Sequence, residues 1–477
     1  MRLAEVLGDW SSGTGSLYAQ LADGLREAIN RGDLRPGTVL PAERGLARAL
    51  AVSRTTVVAA LDVLKRIGYL DSRSGSGTWV RRVREFELAG GVTAPAAGIG
   101  RNPLFRNLGS ADSSMVDLTA AVPDPPPQVA EALREASNRA AAHVHGPGYF
   151  PLGLPALRQA VAERFTQRGI PTVPEEVMIT AGAQQAITIL AAAYVQPGTP
   201  VLMENPSYPG AIESFRMLGA SVRTVAVGSE GLLARDVIRA IEARPPEMIY
   251  LIPSFHNPTG TFINRAERAR LRRYLAGRGI AVVEDESTVE LALDGEEPPP
   301  PVGLEPGGEV STLIVGSASK PFWGGIRIGW IRASSEVIEL ISRHKLVFDL
   351  ATAIPSQVAA EILVRKSPSI LPERRSELAQ RFQYLVSRLA SELPEWSVTR
   401  PSGGVTAWVR LPDGNATQFS QVAIRHGVAV VAGPFFDAHG NDDDHIRIPY
   451  LADTDTLDQG VKRLAEAWSA MRRPGTA

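Results

Sequence analysis

Residues 40–80 read LPAERGLARALAVSRTTVVAALDVLKRIGYLDSRSGSGTWV, and the order of their patterns decides the fold of the N-terminal part of the chain. A short helix is predicted from Glu43 to Leu50. Ser53 is a favoured N-cap for a further helix, which runs to about Ile67. Gly68 follows at the position where helices commonly end. Two strand-like pieces then flank a loop of Gly and Ser, which predicts a β-hairpin.

An apolar periodicity lies upstream of this stretch. Leu17, Leu21, Leu25 and Ile29 recur at helical spacing, and a turn signal at residues 35–37 separates them from the next helix. Three helices, a tight connection and a hairpin predict a winged helix-turn-helix over residues 14–82. The helices alone fit a small bundle with a solvated charged face equally well.

The start of the last predicted helix carries side chains suited to DNA, because the N-terminal residues of a recognition helix face the major groove. Arg54 can bind guanine through two hydrogen bonds, and the hydroxyl groups of Thr55 and Thr56 can reach bases or phosphates. The whole string resembles the GntR-type winged helix over about 65 residues. Many members of that family carry Arg at the position of Val58, so one contact is absent here. The resemblance implies DNA contacts from Arg44, Ser53, Arg54, Thr55, Thr56, Gly75, Ser76 and Gly77.

Composition sets limits on the rest of the chain. Its 477 residues suggest two or three domains, and the absence of Cys excludes disulfides and thiolate chemistry. We expect a cytoplasmic protein, since neither a secretory signal pattern nor an apolar run long enough to span a membrane is visible. Residues 1–85 hold 13 Lys and Arg against 9 Asp and Glu, a net charge of +4 in a chain of net charge −1. A basic module weakly indicates an anionic partner.

Residues 83–115 are rich in Ala, Gly, Pro and Ser and have no sustained period, so they are predicted to be a linker. From 116 to 473, helical patterns alternate with short apolar runs. That alternation predicts an α/β domain with a mostly parallel sheet, in which ligands bind beyond the carboxyl ends of the strands.

Polar clusters follow several of these runs, and each also has a plain structural interpretation. Ala183 and Gln184 open a helix whose N-terminus can bind phosphate, although a plain strand-to-helix turn is commoner. Tyr208 can stack on a flat ring or simply pack in its loop. Asn257 can hydrogen-bond a ring oxygen. Asp285 can pair with a protonated pyridine nitrogen or lie in a solvated acidic turn.

The sequence Ser317-Ala318-Ser319-Lys320 carries the central chemical group of this part of the chain. A lysine amine can form a Schiff base with an aldehyde cofactor. Seven residues later Arg327 can bind a phosphate, and far downstream Arg447 can bind a carboxylate. Taken singly, each of these residues is more often a surface charge.

In this order and at these separations, the clusters resemble those of fold-type-I pyridoxal-phosphate aminotransferases across residues 116–473. The resemblance implies that Lys320 is the catalytic lysine, that it holds pyridoxal 5'-phosphate as an internal aldimine, and that Arg447 binds the effector. It also implies a homodimer in which Tyr149 reaches the neighbouring subunit's phosphate. Many relatives carry Tyr where this chain has Ser287. The implied cofactor-binding residues are Tyr149, Ala183, Gln184, Tyr208, Asn257, Asp285, Ser317, Lys320 and Arg327.

A GntR-type head followed by an aminotransferase-like body is similar to the MocR-like regulators over nearly the whole chain. The resemblance implies a transcription regulator that binds double-stranded operator DNA and responds to pyridoxal phosphate or an amino compound. It also implies a head-to-tail homodimer. We expect no metal and no membrane partner. Two alternatives are a pyridoxal-phosphate-dependent aminotransferase with an accessory head, for which slow half-transamination is expected, and a dimerisation scaffold with an emptied site.

Overall fold

The computed structural model of the chain describes residues 3–11, 15–30, 32–73, 77–81, 115–144, 146–293, 295, 299–303 and 311–472. Residue 115 is therefore the only described part of the predicted linker, and Gly75 and Ser76 of the predicted wing also lie outside the described residues.

The N-terminal part is a winged helix-turn-helix, as the sequence predicts. Its helices are α1 (Leu3–Leu7), α2 (Leu17–Asn30), α3 (Glu43–Ala49) and α4 (Arg54–Arg66). Its strands β1 (Val39–Leu40), β2 (Leu70–Arg73) and β3 (Gly77–Val80) form an antiparallel sheet of order β1-β3-β2. Neither α1 nor β1 was expected. Leu3 and Leu7 of α1 nevertheless join the core that Leu25 and Leu61 form.

Local signals in the sequence explain how α4 begins and ends. The Ser53 hydroxyl accepts a hydrogen bond from the Thr56 amide at 3.1 Å, which satisfies one of the amides that a helix start leaves unpaired. Gly68 ends the helix at a φ of +80°, a conformation that Gly adopts without steric cost.

The large domain is built on a seven-stranded sheet. Its strands are β5 (Val177–Thr180), β6 (Pro200–Asn205), β7 (Ser221–Ala226), β8 (Met248–Leu251), β9 (Ala281–Asp285), β10 (Thr312–Ser317) and β11 (Gly329–Arg332). They lie in the order β5-β11-β10-β9-β8-β6-β7. Neighbouring strands are parallel except β11, which is antiparallel to both β5 and β10, so the predicted mostly parallel sheet is confirmed.

Helices cover both faces of this sheet, as a parallel sheet requires. One face packs against α7 (Ala183–Tyr194), α8 (Pro209–Met217) and α11 (Ser335–Phe348). The other packs against α5 (Pro127–Ala140), α6 (Pro155–Gln167), α9 (Ala234–Ala243), α10 (Arg265–Leu275) and the first part of α12 (Ile354–Glu392).

The C-terminal part of the chain has a smaller sheet and a core of its own. Its elements, with one strand from the start of the large domain, are β4 (Val116–Asp117), β12 (Ser397–Thr399), β13 (Thr406–Arg410), α13 (Ala416–Arg425), β14 (Val428–Ala429), β15 (Val431–Ala432), β16 (His445–Pro449) and α14 (Thr454–Arg472). The sheet has the order β12-β13-β16-β15, and the second half of α12 packs into the same core. The pair β4 and β14 joins the start of the large domain to this part. No helix in the described part of the chain has the length and apolar character needed to cross a membrane.

Short 3-10 helices occur at Ala141–His143, Pro174–Glu176, Gly324–Ile326 and Gly433–Phe435.

The head contacts the C-terminal part through the turn between α3 and α4. Ala51 in this turn has a positive φ of 53°, and its carbonyl oxygen accepts a hydrogen bond from Arg425 of α13 at 3.1 Å.

Candidate functional site

A cleft of about 1050 Å³ opens at the carboxyl ends of the parallel strands, where ligands bind in open α/β sheets. Ala121 and Val122, which precede α5, line part of it. The cleft brings together nine of the residues that the sequence singled out: Ala183, Gln184, Tyr208, Asn257, Asp285, Ser317, Lys320, Arg327 and Arg447.

Lys320 lines this cleft, three residues after β10. Its Nζ donates a hydrogen bond to the carbonyl oxygen of Ala121 at 2.5 Å. The lysine pKa is lowered to about 8, chiefly by burial and next by the charge of Arg447, while the charge of Asp285 opposes the shift. The amine therefore loses its proton far more readily than an exposed lysine, and only the neutral amine can attack an aldehyde.

Asp285 ends β9 with both of its carboxylate oxygens held. Oδ1 accepts from the Ser287 amide at 2.9 Å, and Oδ2 accepts from the Tyr250 hydroxyl at 2.8 Å. Burial raises the pKa of Asp285, while hydrogen bonds from Ser287 and Tyr250 and the charge of Lys320 act in the opposite direction. An oriented carboxylate at this depth can pair with a protonated ring nitrogen.

Tyr208 immediately precedes α8 and borders the cleft. Burial raises its pKa to about 12, so the phenol stays neutral. Gln184 donates from Nε2 to Gly210 O at 3.1 Å and to Ser214 Oγ at 2.9 Å, so its side-chain amide joins the starts of α7 and α8. A Cβ atom on Gly210 would lie 2.1 Å from Gln184 Oε1 and 2.6 Å from the Tyr208 ring. Glycine at 210 is therefore required for the tyrosine to pack as it does.

The N-terminus of α7 is suited to a phosphate. Gly182 caps it with a φ of +106°, and the first amides of a helix have no intrahelical acceptor. Arg327 donates from one guanidinium nitrogen to Ala181 O at 2.7 Å, which holds it beside this turn. A Cβ atom on Gly329 would lie 2.8 Å from the Ala183 amide nitrogen, so only glycine allows this strand to pass so close.

Two further polar groups bordering the cleft are buried without a hydrogen-bond partner among the described residues: Asn257 Oδ1 and Arg447 Nε. Such groups cost free energy unless a ligand or water satisfies them. The Arg447 guanidinium donates to Thr119 O and lies 4.9 Å from the centre of the Phe436 ring. Burial lowers the pKa of Arg447 to about 9, against the charge of Asp117. Its remaining donor suits a carboxylate.

Tyr149 is the predicted cofactor residue that does not line the cleft of its own chain, and it is 61% exposed. Ser317 Oγ accepts from the Ser319 amide at 3.1 Å. Ser287 borders the cleft with a buried hydroxyl that has no partner among the described residues.

Sequence reasoning missed Tyr250, because a tyrosine inside an apolar strand gives no signal of a polar role.

On the head, the side chains predicted to contact DNA lie at the start of α4 and of α3. Arg54 is exposed and donates from Nε and from its terminal nitrogen to Glu43 Oε2, at 2.9 and 2.8 Å. Ser53 Oγ lies 2.6 Å from the Thr55 hydroxyl and 2.9 Å from the Thr56 hydroxyl. Arg44 and Gly77 are also exposed. Sequence reasoning did not single out Glu43.

Comparisons with known proteins divide the chain in the same way. Residues 113–464 match the family "Aminotransferase class I and II", and residues 17–80 match "Bacterial regulatory proteins, gntR family". Among relatives, the HTH-type transcriptional regulator YdcR of Escherichia coli (strain K12), itself uncharacterized, is 30% identical over 441 residues. That match covers 89% of this chain and 92% of the relative.

The probable rhizopine catabolism regulatory protein MocR of Rhizobium meliloti is 32% identical over 329 residues, which cover 66% of this chain and 65% of the relative. Among solved structures, LysN from Thermus thermophilus, an alpha-aminoadipate aminotransferase complexed with N-(5'-phosphopyridoxyl)-L-leucine, superposes with a TM-score of 0.69. It is 31% identical, and the match covers 79% of this chain and 96% of that one.

Proposed function

Because this chain belongs to the aminotransferase class I and II family and carries a GntR-family domain ahead of it, the organisation of MocR-like transcription regulators, we propose that it binds pyridoxal phosphate at Lys320. Its binding to operator DNA changes when the cofactor or an amino compound occupies the cleft. The observation that carries the proposal is the convergence on one cleft of a lysine with a lowered pKa, a buried carboxylate and a buried arginine.

The residues present fit the cofactor. The first turn of α7 and Arg327 form an anion site at one end, Tyr208 offers a ring face, and Asn257 offers a buried amide with an unsatisfied oxygen. Asp285 offers a charged acceptor for a ring nitrogen. When bound, pyridoxal phosphate supplies an aldehyde that reacts reversibly with an amine.

Three side chains of the protein then have separate roles in the cleft. Lys320 presents a neutral amine at a pH where an exposed lysine remains charged. Arg447 binds the carboxylate of an amino-compound effector and orients its amine towards the same place. Tyr208 covers one face of the ring. An effector amine held by Arg447 would therefore lie in the same cleft as the Lys320 amine.

A route from the effector site to the head is available through the C-terminal part. Arg447 on β16 pairs in register with Val431 of β15, and the short segment 426–430 joins that strand to α13. Arg425 at the end of α13 is hydrogen-bonded to Ala51 in the head. A ligand that binds more tightly to one position of the C-terminal part than to another shifts the equilibrium between two arrangements of the head. The size of the shift equals the difference between the ligand's binding free energies for the two arrangements.

We further propose a head-to-tail homodimer whose two heads bind paired operator half-sites. Support comes from five exposed apolar side chains on α11 and just after it, since exposed apolar surface of this kind commonly marks interfaces. Tyr149 is also exposed, as a residue that reaches a neighbouring subunit must be. The five exposed side chains are Leu340, Leu346, Val347, Phe348 and Leu350.

A second candidate function is catalytic transamination, because Lys320, Asp285 and Arg447 are all in place. We expect slow half-transamination at most, since Ser287 gives this part of the site no phenol. Multiple turnovers with an amino acid and a keto acid would favour the enzyme over the regulator.

The test is a gel shift with the protein's own upstream DNA, with and without pyridoxal phosphate and a panel of amines. We expect cofactor-dependent binding that Lys320→Ala alters and Arg54→Ala abolishes, while Arg410→Ala, an exposed arginine of the body, leaves it unchanged. Borohydride treatment should attach pyridoxal phosphate covalently to Lys320. Unchanged DNA affinity in both test variants, with no trapped adduct, overturns the proposal.

A further inference from the structure

Tyr250 lies beneath the cofactor cleft, inside the core of the large domain. It sits in the middle of β8, opposite Val283 on β9 and opposite Met203 on β6. Alternate residues of a strand point to the same face, so Asp285, two residues after Val283, faces the same side of the sheet as Tyr250. The register therefore brings the hydroxyl of Tyr250 within reach of the carboxylate, at 2.8 Å from Oδ2.

The surroundings of the Tyr250 ring are apolar. The residue is fully buried among the side chains that join the sheet to α7 and α8, and its ring meets Phe215 edge to face at 5.9 Å between centres. Phenylalanine would fill this space equally well, so packing does not account for the hydroxyl group. A buried tyrosine hydroxyl usually has a partner. Here that partner is the carboxylate.

The direction of the hydrogen bond is fixed by charge. Burial, together with the neighbouring charge of Asp285, raises the pKa of Tyr250 well above its ordinary value, so the phenol keeps its proton and donates it. Oδ1 of the same carboxylate is held by the Ser287 amide at 2.9 Å. Two donors, one within β8 and one just beyond the end of β9, therefore fix the plane of the carboxylate and favour its ionised form.

We propose that Tyr250 is a positioning residue that keeps Asp285 ionised and aimed at the ring nitrogen of the bound cofactor. The inference rests on the proposed binding of pyridoxal phosphate. It adds that the cofactor's charge partner depends on a residue that does not touch the cofactor, in a site where Ser287 supplies no phenol of its own.

The experiment measures the dissociation constant of pyridoxal phosphate for full-length protein between pH 6 and pH 8, together with the absorption spectrum of the bound cofactor. Tyr250→Phe should weaken binding at neutral pH by about tenfold, the size expected for one hydrogen bond to a charged group. Without this donor the carboxylate takes up a proton more readily, so the loss should grow as the pH falls. A defect of packing alone would weaken binding equally at each pH.

Two variants serve as controls. Tyr450→Phe removes a buried hydroxyl that has no hydrogen-bond partner among the described residues, and it should bind the cofactor as the unmodified protein does. In an Asp285→Asn background, Tyr250→Phe should change the dissociation constant by less than about twofold, because coupled residues are not additive. Thermal unfolding of the apoprotein identifies any variant that fails to fold.

The outcomes separate the inference from its premise. If the unmodified protein takes up no pyridoxal phosphate, the proposed function fails. If it binds the cofactor and Tyr250→Phe binds with the same affinity, spectrum and pH dependence, the inference about Tyr250 fails. An equal tenfold loss in the Asp285→Asn background would also overturn it.

Discussion

At the scale of single residues, the cleft changes acid–base behaviour chiefly by desolvation. Burial lowers the pKa of Lys320 to about 8 and that of Arg447 to about 9, and it raises that of Tyr208 to about 12. Each shift favours the neutral form, which is the direction that desolvation dictates. The cleft thus holds a neutral phenol, an amine that deprotonates easily and an arginine that gains by meeting an anion.

The lysine pKa gives a prediction about pH. Only the neutral amine reacts with an aldehyde, and its fraction rises as the pH passes through about 8 rather than through the usual lysine range near 10.5. The rate of cofactor uptake by the apoprotein, followed by absorbance, should therefore increase about tenfold from pH 6.5 to 7.5 and level off above about 8.5. A rate that still climbs tenfold per pH unit up to pH 10 would contradict the shift.

The role of a residue could be predicted from the sequence where its neighbours along the chain indicate that role. Lys320 follows a strand and a serine-rich turn, so it was found. Tyr250 and Glu43 act through partners 35 and 11 residues away, and nothing near them in the sequence points to those partners.

At the scale of elements, α4 shows how local chemistry sets a helix boundary. Ser53 caps its start, and Lys65 and Arg66 lie in its last turn, where positive charge opposes the negative end of the helix dipole. These signals are local, so the predicted and observed bounds agree closely. β7 is an edge strand with little burial, and its sequence carries no strong apolar run, so local patterns indicate it only poorly.

Removing the cap should loosen α4. We expect Ser53→Ala to destabilise the helix by about 1 kcal/mol, because the Thr56 amide loses its acceptor. Hydrogen exchange of the α4 amides in the full-length protein should speed up about fivefold. Ser72→Ala, an exposed serine on β2, is the matched control and should have no effect. Equal exchange in both variants would show that the cap does not stabilise the helix.

At the scale of the whole molecule, the exposed apolar side chains on and just after α11 predict association. Val347 is 85% exposed, and the free energy falls when a partner covers a hydrophobic side chain that was in contact with water. Val347→Asp should shift the protein from dimer to monomer in light scattering coupled to size-exclusion chromatography. Val39→Asp, at an exposed valine of the head, should leave the dimer intact. A monomeric unmodified protein would refute the prediction.

The contact between head and body can be tested separately. Arg425→Ala removes the hydrogen bond to Ala51 O and should free the turn between α3 and α4. We expect faster hydrogen exchange in residues 50–54 and a weaker effect of cofactor on DNA affinity. Arg410→Ala, which removes a surface ion pair with Asp444, is the control. If Arg425→Ala changes neither exchange nor cofactor dependence, this contact does not couple the two parts.

The sequence by itself determined the winged helix-turn-helix, the mostly parallel sheet and nine of the residues that line the cleft, because caps, turns and alternating apolar runs are local signals. Only the tertiary structure decided that Tyr250 holds Asp285, that Glu43 holds Arg54 and that Arg425 contacts the head. Those contacts depend on strand register and on the packing of elements distant in the chain. The free energy that fixes such packing comes from burying surface over the whole fold, which no local pattern encodes.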